Sequence, residues 1–488
     1  MKSLAVFALA LWVAGCSAPL QSGRFAHREP SGLPSFSSHP QLKDQLDEIL
    51  SDSLFPPSNA AIKVVSLKTG ETLYDLNGGL CMTPASNMKL FTSAYVLSAL
   101  GPSYRFSTRV FIDTSVLPRI ILRGAGDPIL SSTDFDSLAA AIRAGVSSLP
   151  AWTLAGDASL FDDLQMGPGW AWDDEPDPSV MFISPLSLNG NAINISVLPG
   201  KAPGDSLQVT TDPPTSYVSV ENTGVTKADA DRHSLHVTRD WRTQSNTLRV
   251  SGEMRPGDTP LVTTLSVAGP EWYTLTVLRE KLEAWGLHFT GIVLDTVPPG
   301  AGEIARCEHR LDTVLTYMNL NSDNLSAENL LKTAAAEKSG PPGSTESGVR
   351  LMRIFLAGLG IDTSRIVIAD GSGISRYNLV SADAIIALLA GMHERVDLFP
   401  LWYRTLPIAG VSGTIAHRMR GTPAEGNLRA KTGTLNGVST LSGYVTTADG
   451  DPLAFSILME FFPSSEREYR QVQDRIGAYL AALRRGTY

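Results

Sequence analysis

The chain has 488 residues, 43% of them apolar, which is ample for sizeable cores and suggests about three domains. Its formal charge is −9 with no basic cluster, so the sequence gives nucleic-acid binding no support. Its three cysteines and eight histidines include no metal-ligand spacing such as H-E-x-x-H, so neither a metal nor another cofactor is expected.

At the N-terminus stand Lys2, an uncharged apolar run from Leu4 to Val13, and small residues before Cys16, the pattern of a secretory signal. The run is too short for a membrane-spanning helix, which needs about 20 apolar residues. Val13-Ala14-Gly15-Cys16 resembles the bacterial lipobox, in which cysteine becomes the first mature residue and carries lipid. The competing reading is an ordinary cleaved signal with a cysteine at its exit. On the lipobox reading, residues 1–15 are removed, 473 residues remain, the charge becomes −10, and Cys16 is the lipidation site. Acyl chains gain about 0.8 kcal/mol per buried methylene, so several of them anchor a protein firmly. Ser17, where aspartate would signal inner-membrane retention, points to the periplasmic side of the outer membrane. From Ser17 to Pro40, ten of 24 residues are Ser or Pro, so residues 16–40 read as a tether.

Residues 41–51 look like an amphipathic helix, followed by a hairpin over Ala61–Leu76 and a helix from Ser86 to about Leu100. The character then turns β-rich: Phe106–Ile112, Arg119–Arg123, Trp152–Leu154, Ile193–Val197, Gln208–Thr211, Tyr217–Val220, Ser234–Thr238 and Thr247–Ser251. Pro270–Trp285 reads as a helix with Trp272, Leu275, Leu278, Leu282 and Trp285 on one stripe, ended by Gly286. Residues 307–337, 344–359, 381–394 and 464–484 are helical in pattern, and Ser439–Thr447 and Pro452–Phe462 are the last strands. Two stretches of mixed helix and sheet therefore flank a β-dominated insert.

Of the eleven lysines, only Lys89 has a serine three residues before it. At a helix N-terminus that spacing sets hydroxyl and amine on one face. A neutral amine there can take the hydroxyl proton and make Ser86 a nucleophile without histidine. Downstream stand Ser322-Asp323-Asn324 and Lys431-Thr432-Gly433. S-x-x-K, S-D-N and K-T-G in that order are the signature set of penicillin-binding proteins and serine β-lactamases. Decoys exist: Ser187-Leu188-Asn189 matches S-x-N, and Lys68-Thr69-Gly70 sits between two apolar runs as a hairpin turn.

Ser86 and Ser322 are 236 residues apart, Ser322 and Lys431 only 109, and a compact β-lactamase has no room for the larger insert. Over nearly all of residues 41–485 the chain resembles the D-alanyl-D-alanine carboxypeptidase/endopeptidase family of peptidase S13 type, the low-mass class C penicillin-binding proteins. The resemblance rests on the three motifs and on four further segments: Leu122–Pro128, Pro168–Asp174, Asp370–Arg376 and Leu406–Thr414. It implies an α/β (α+β) chain: a transpeptidase-like domain, with an antiparallel sheet flanked by helices, and two smaller, mainly β inserts. The expected boundaries are 41–105 and 302–488 for the catalytic domain, 106–129 and 193–301 for the first insert, and 130–192 for a second nested in it. Asp127 is expected to close a bend beside Gly124 and Gly126 rather than to act in catalysis.

The resemblance also implies roles. Ser86 would attack the carbonyl between two D-alanines of a peptidoglycan stem peptide, and Lys89 would be its base. Bringing a lysine from about 10.4 to about 7 takes roughly 4.6 kcal/mol of bias against its charged form. Burial and nearby Lys431 would supply it. Ser322 and Asn324 would relay a proton and orient Lys89, and Lys431 and Thr432 would meet the substrate carboxylate. Gly433 would let substrate lie against the strand, and the N–H groups of Ser86 and Thr434 would form the oxyanion hole. Losing one such donor can cost on the order of 3 kcal/mol. Asp173, with Asp174 next, is the candidate for holding the free amine of the stem peptide's diamino acid; the competing reading is an exposed acidic turn before Pro176. Arg376 either faces the cleft or braces its own loop. β-Lactams would acylate Ser86 as inhibitors. Two other functions compete: a serine β-lactamase, disfavoured because no E-x-x-L-N string is placed to activate a deacylating water, and a wall-binding protein without catalysis.

Overall fold

A computed structural model describes residues 40–51, 58–146, 151–463 and 465–484, all within one compact unit, Ser38–Tyr488. The expected signal segment 1–15, Cys16 and the tether as far as residue 39 lie outside the described residues. The fold is mixed α/β. Its central sheet is five-stranded and antiparallel, in the order Arg429–Leu435, Val438–Thr446, Pro452–Glu460, Asn59–Ser66, Thr72–Leu76. The N-terminal hairpin thus closes onto the last strands, with Asn59 opposite Glu460 and Ser66 opposite Leu453. The Lys68-Thr69-Gly70 decoy is the turn of that hairpin, where Gly70 has φ +76°.

Successive side chains of a strand point to opposite faces, and both faces of this sheet are covered. Ile62 and Val64 pack with Leu42, Leu46, Tyr469, Val472 and Ile476 under the first and last helices, Pro40–Leu50 and Glu466–Ala482. Ala61 and Val65 belong to the other core, with Phe91, Leu330, Leu331, Ile385 and Leu389. That core is built by the helices Met88–Leu100, Asn324–Ser339 and Ala382–His393. Burial on both faces explains why Val438–Thr446 is apolar or small almost throughout rather than alternating.

A second five-stranded sheet lies in the order Phe289–Leu294, Trp152–Asp157, Arg119–Arg123, Arg105–Asp113, Gly302–Arg310. The helices Ser132–Gly145 and Pro270–Ala284 cover it. Between Ala192 and Ser266 lie three smaller sheets. This pairing redraws the expected boundaries. Residues 130–192 are not a nested domain, because Ser132–Gly145 and Trp152–Asp157 build the same sheet and core as Arg119–Arg123. The segment with sheets of its own is Ala192–Ser266, although its Ile193, Ile195 and Leu248 share that core. Nor does the catalytic segment begin at 302, since Gly302–Arg310 pairs with Arg105–Asp113 as far as Arg310 opposite Arg105. The helix expected from 307 starts at Leu311. Arg306, Glu308 and Arg310 alternate with Cys307 and His309, a period-two pattern too polar to register as a strand beside the strongly apolar helix that follows.

The stripe on Pro270–Ala284 is also corrected. Leu275, Leu278 and Leu282 are buried together with Tyr273 and Val277, but Trp272 and Trp285 are exposed at the ends. Cys81 is exposed, and both it and Cys307 are free thiols. Among the described residues, no helix is long and apolar enough to cross a membrane.

Candidate active site

Ser86 sits in a 3₁₀ turn, Ala85–Asn87, immediately before the α-helix Met88–Leu100. Three hydrogen bonds fasten this segment to the central sheet. Thr83 N–H donates to Glu460 Oε2 (2.9 Å), the Thr440 hydroxyl to Pro84 O (3.0 Å), and Asn87 Nδ2 to Ser442 Oγ (2.8 Å). The turn puts Lys89 Nζ 2.9 Å from Ser86 Oγ, 2.6 Å from Asn324 Oδ1 and 2.7 Å from Ser372 O.

Ser322 and Asn324 lie at a helix-to-helix corner. Leu311–Asn321 ends with Ser322 in the left-handed region (φ +57°), and Asp323 caps the next helix by accepting from Ser326 N at 2.7 Å. The corner turns the Ser322 hydroxyl toward Lys431 Nζ, 2.8 Å away, while Asn324 faces Lys89. Lys431 lies on the edge strand Arg429–Leu435 and also donates to Thr432 O at 2.8 Å. Ala430 N–H points off the sheet edge to Pro407 O, so at the two-residue period of a strand the N–H groups of Thr432 and Thr434 point the same way. The fold thus brings Ser86, Lys89, Ser322, Asn324, Lys431, Thr432, Gly433 and Thr434 to one edge of one sheet.

Gly433 has a different reason from the one expected. A Cβ there would lie 2.2 Å from Thr440 Oγ1, 2.8 Å from Pro84 O and 2.9 Å from Ser86 N, so the protein's own serine turn needs the space.

Both lysines are fully buried. Burial pushes the Lys89 amine down to about 8, against the opposing pull of Asp323, Asp370 and Glu328. Lys431 is pushed well below its ordinary value by burial and by Lys89.

Sequence reasoning missed Glu328 and Asp370. Glu328 is buried on the helix Asn324–Ser339, and its Oε1 accepts from Gly371 N (3.0 Å) and Ser372 N (2.7 Å). It thereby fixes the carbonyl of Ser372 that holds Lys89. Asp370 accepts from Gly373 N, Ser375 N, Asn378 Nδ2 and the indole of Trp170. Burial and Asp370 push Glu328 up to about 7. The signal was an acidic residue in a helix whose neighbours are all buried, visible in hindsight as Glu328-Asn329 beside Leu330-Leu331. Glu328→Gln keeps an acceptor for the two N–H groups but removes a charge that holds the Lys89 proton. The inflection of acylation against pH is expected to move below the value of about 8 set by Lys89. Stopped-flow acylation across pH checks this.

Arg376 braces its loop, donating to Asn436 O at 2.7 Å. Asp127 accepts from Ile129 N and pairs with His309, as a bend-closing residue does. Asp173 sits in an exposed 3₁₀ turn, Trp172–Asp174, outside the hydrogen-bonded cluster. Its loop is nonetheless pinned at two points on the site's wall: Trp170 Nε1 to Asp370 Oδ2 (2.9 Å) and Ser179 O from Asn324 Nδ2 (2.8 Å).

A half-buried serine beside a buried lysine, with a second lysine on a sheet edge, forms an arrangement suited to serine acyl transfer on a penicillin-binding-protein-like fold. Residues 42–483 match the model of the D-Ala-D-Ala carboxypeptidase 3 (S13) family, and the chain belongs to that family, as a peptidase of the hydrolase class. It is similar to a D-alanyl-D-alanine carboxypeptidase of an Actinomadura species, 35% identical over 86% of this chain and 80% of that one. The crystal structure of penicillin binding protein 4 (dacB) from Haemophilus influenzae superposes with a TM-score of 0.79 at 24% identity, over 90% of this chain and 99% of that one. The same protein complexed with a β-lactam gives a TM-score of 0.73 at 23% identity and the same coverage. These two structures are likenesses of fold.

Proposed function

We propose that the protein cleaves the D-Ala-D-Ala bond of peptidoglycan stem peptides through an acyl-enzyme on Ser86. The reading is carried by the 2.9 Å contact between Lys89 Nζ and Ser86 Oγ in a site that also holds Ser322 and Lys431. Lys89, when neutral, takes the hydroxyl proton as Ser86 Oγ bonds to the carbonyl carbon. The N–H groups of Ser86 and Thr434 receive the oxyanion. Ser322 relays a proton to the departing D-alanine amine, and water then releases the shortened peptide. Lys431 and Thr432 meet the terminal carboxylate. Acting on crosslinked peptides as an endopeptidase is the same chemistry with a larger leaving group. β-Lactams acylate the same oxygen; the name of the Actinomadura relative and the β-lactam complex of the Haemophilus protein support this reading. Two measurements test it. Incubation with penicillin is expected to give a long-lived adduct of one drug per chain, whereas rapid turnover of excess drug would make it a β-lactamase. Mass spectrometry of muropeptide digests is expected to show loss of one D-alanine, conversion of dimers to monomers, or both. Absence of both changes refutes the peptidase reading.

Asp173 is proposed to bind the free amine of the diamino acid, from a loop pinned to the site on both sides. A charged hydrogen bond is worth about 1.5–3 kcal/mol, so Asp173→Asn is expected to lower kcat/KM for amine-bearing peptides by about tenfold or more. The acetylated peptide and penicillin should react as with wild type. Equal losses on both peptides would remove Asp173 from this role. On the sequence alone, Cys16 is proposed as a lipid anchor holding the enzyme on the periplasmic side of the outer membrane. Palmitate label that survives Cys16→Ser would refute the anchor.

A further inference from the structure

Away from the Ser86 site, the strand Gly302–Arg310 and the helix Ser132–Gly145 bring a thiol, an imidazole and a carboxylate together. Cys307 and His309 are two positions apart, hence on one face of the strand, and both are half-buried, whereas Arg306, Glu308 and Arg310 are exposed. One ligand atom from each of Cys307, His309 and Asp134 lies within 4.8 Å of the other two. Asp134 is held in place by the helix cap: its Oδ2 accepts from Ser131 N (2.8 Å) and Ser131 Oγ (2.6 Å). That leaves Oδ1 facing His309 Nε2 at 3.8 Å. On the other side of the ring, His309 Nδ1 is 2.7 Å from Oδ2 of Asp127, a carboxylate that is fully buried. A proton on Nδ1 satisfies that contact and leaves the Nε2 lone pair turned into the cluster, the orientation that second-shell carboxylates impose on metal-binding histidines.

We propose that Cys307, His309 and Asp134 bind a single zinc-class divalent cation, with Asp127 orienting His309 and water completing the coordination. Sulfur, nitrogen and oxygen donors suit zinc. Around one tetrahedral zinc such donors stand roughly 3.4–3.6 Å apart, so small side-chain rotations suffice. The cation would tie the helix Ser132–Gly145 to a strand that runs directly into Leu311–Asn321, the helix whose end presents Ser322. The sites are separate, so this inference stands independently of the peptidase reading.

The test uses the full chain carrying Cys16→Ser and Cys81→Ser, which leaves Cys307 as its one thiol. Titration with cobalt(II) is expected to give one ion per chain and an intense thiolate-to-cobalt charge-transfer band, which zinc displaces. Cys307→Ser should abolish the band. His309→Ala should weaken binding at least tenfold, and Asp127→Asn by about 10- to 100-fold. Zinc should raise the melting temperature of the parent chain and not that of the Cys307→Ser variant. Circular dichroism and a cooperative thermal transition report that each variant is folded. No charge-transfer band in the parent chain, or cobalt affinity that survives both Cys307→Ser and His309→Ala, overturns the site.

Discussion

Ser86→Ala is expected to abolish the covalent penicillin adduct and to reduce D-alanine release by on the order of 10⁴-fold or more, because Ser86 carries the one hydroxyl among the three oxygens bonded to Lys89 Nζ. Lys89→Ala should leave the nucleophile in place but without its base, a loss of about 10²–10⁴ in acylation. The two variants differ in what remains, and pH separates them. The wild-type amine lies near 8 in the free enzyme. About one site in ten is therefore neutral at pH 7. Deprotonation creates the base, so acylation should rise with pH and level off above the lysine value. In Lys89→Ala that inflection should vanish, leaving a slow rate that does not follow it. The measurement is the second-order rate of penicillin acylation between about pH 6 and 9. A flat wild-type profile would mean that Lys89 is not the base. Loss of Ser86 and loss of Lys89 should not add, since both remove the same step.

The motifs were legible because acyl transfer demands a few residue types at fixed local spacings. Ser86 and Lys89 share a turn, Ser322 and Asn324 share a corner, and Lys431 to Thr434 share a strand edge. Local spacing is what a single sequence exposes. The supports of the site were not legible, because they are long-range and polar. Glu328 acts on Gly371 and Ser372 across 43 and 44 positions, and Trp170 reaches Asp370 across 200. The central sheet was partly legible, as its strands are apolar enough to stand out. Gly302–Arg310 was not, since its charged residues face solvent and its inward face is Cys307 and His309. Its polar pattern shifted the domain boundary and hid the approach of Cys307 and His309 to Asp134. Gly433 shows the converse. Its place in the motif was plain, but the reason it must be glycine is the protein's own Ser86 turn.

Gly373→Ala is expected to disable the enzyme although residue 373 carries no functional group. Gly373 has φ +86°, and a Cβ there would lie 1.9 Å from Ala85 O and 2.5 Å from Ala85 C. Backbone cannot rotate away as a side chain can. The loop holding Ser372 O and the turn holding Ser86 would have to part by more than an ångström. Lys89 bridges these two segments, at 2.7 Å to Ser372 O and 2.9 Å to Ser86 Oγ, so parting them stretches the contacts that position the base. A displacement of about 1 Å can cost on the order of 10²-fold in rate, and the left-handed backbone adds about 1–2 kcal/mol of strain. Gly70→Ala is the matched control: its φ is +76°, yet nothing lies within 4 Å of the added carbon. It should show the strain alone, as a small fall in melting temperature with wild-type acylation. Gly373→Ala should show a larger fall and an acylation rate lower by about 10². If the two variants acylate alike, the backbone contact between Gly373 and Ala85 does not seat the nucleophile. The precision of the Ser86–Lys89 pair would then have to come from the sheet-side bonds of Thr83, Pro84 and Asn87 alone.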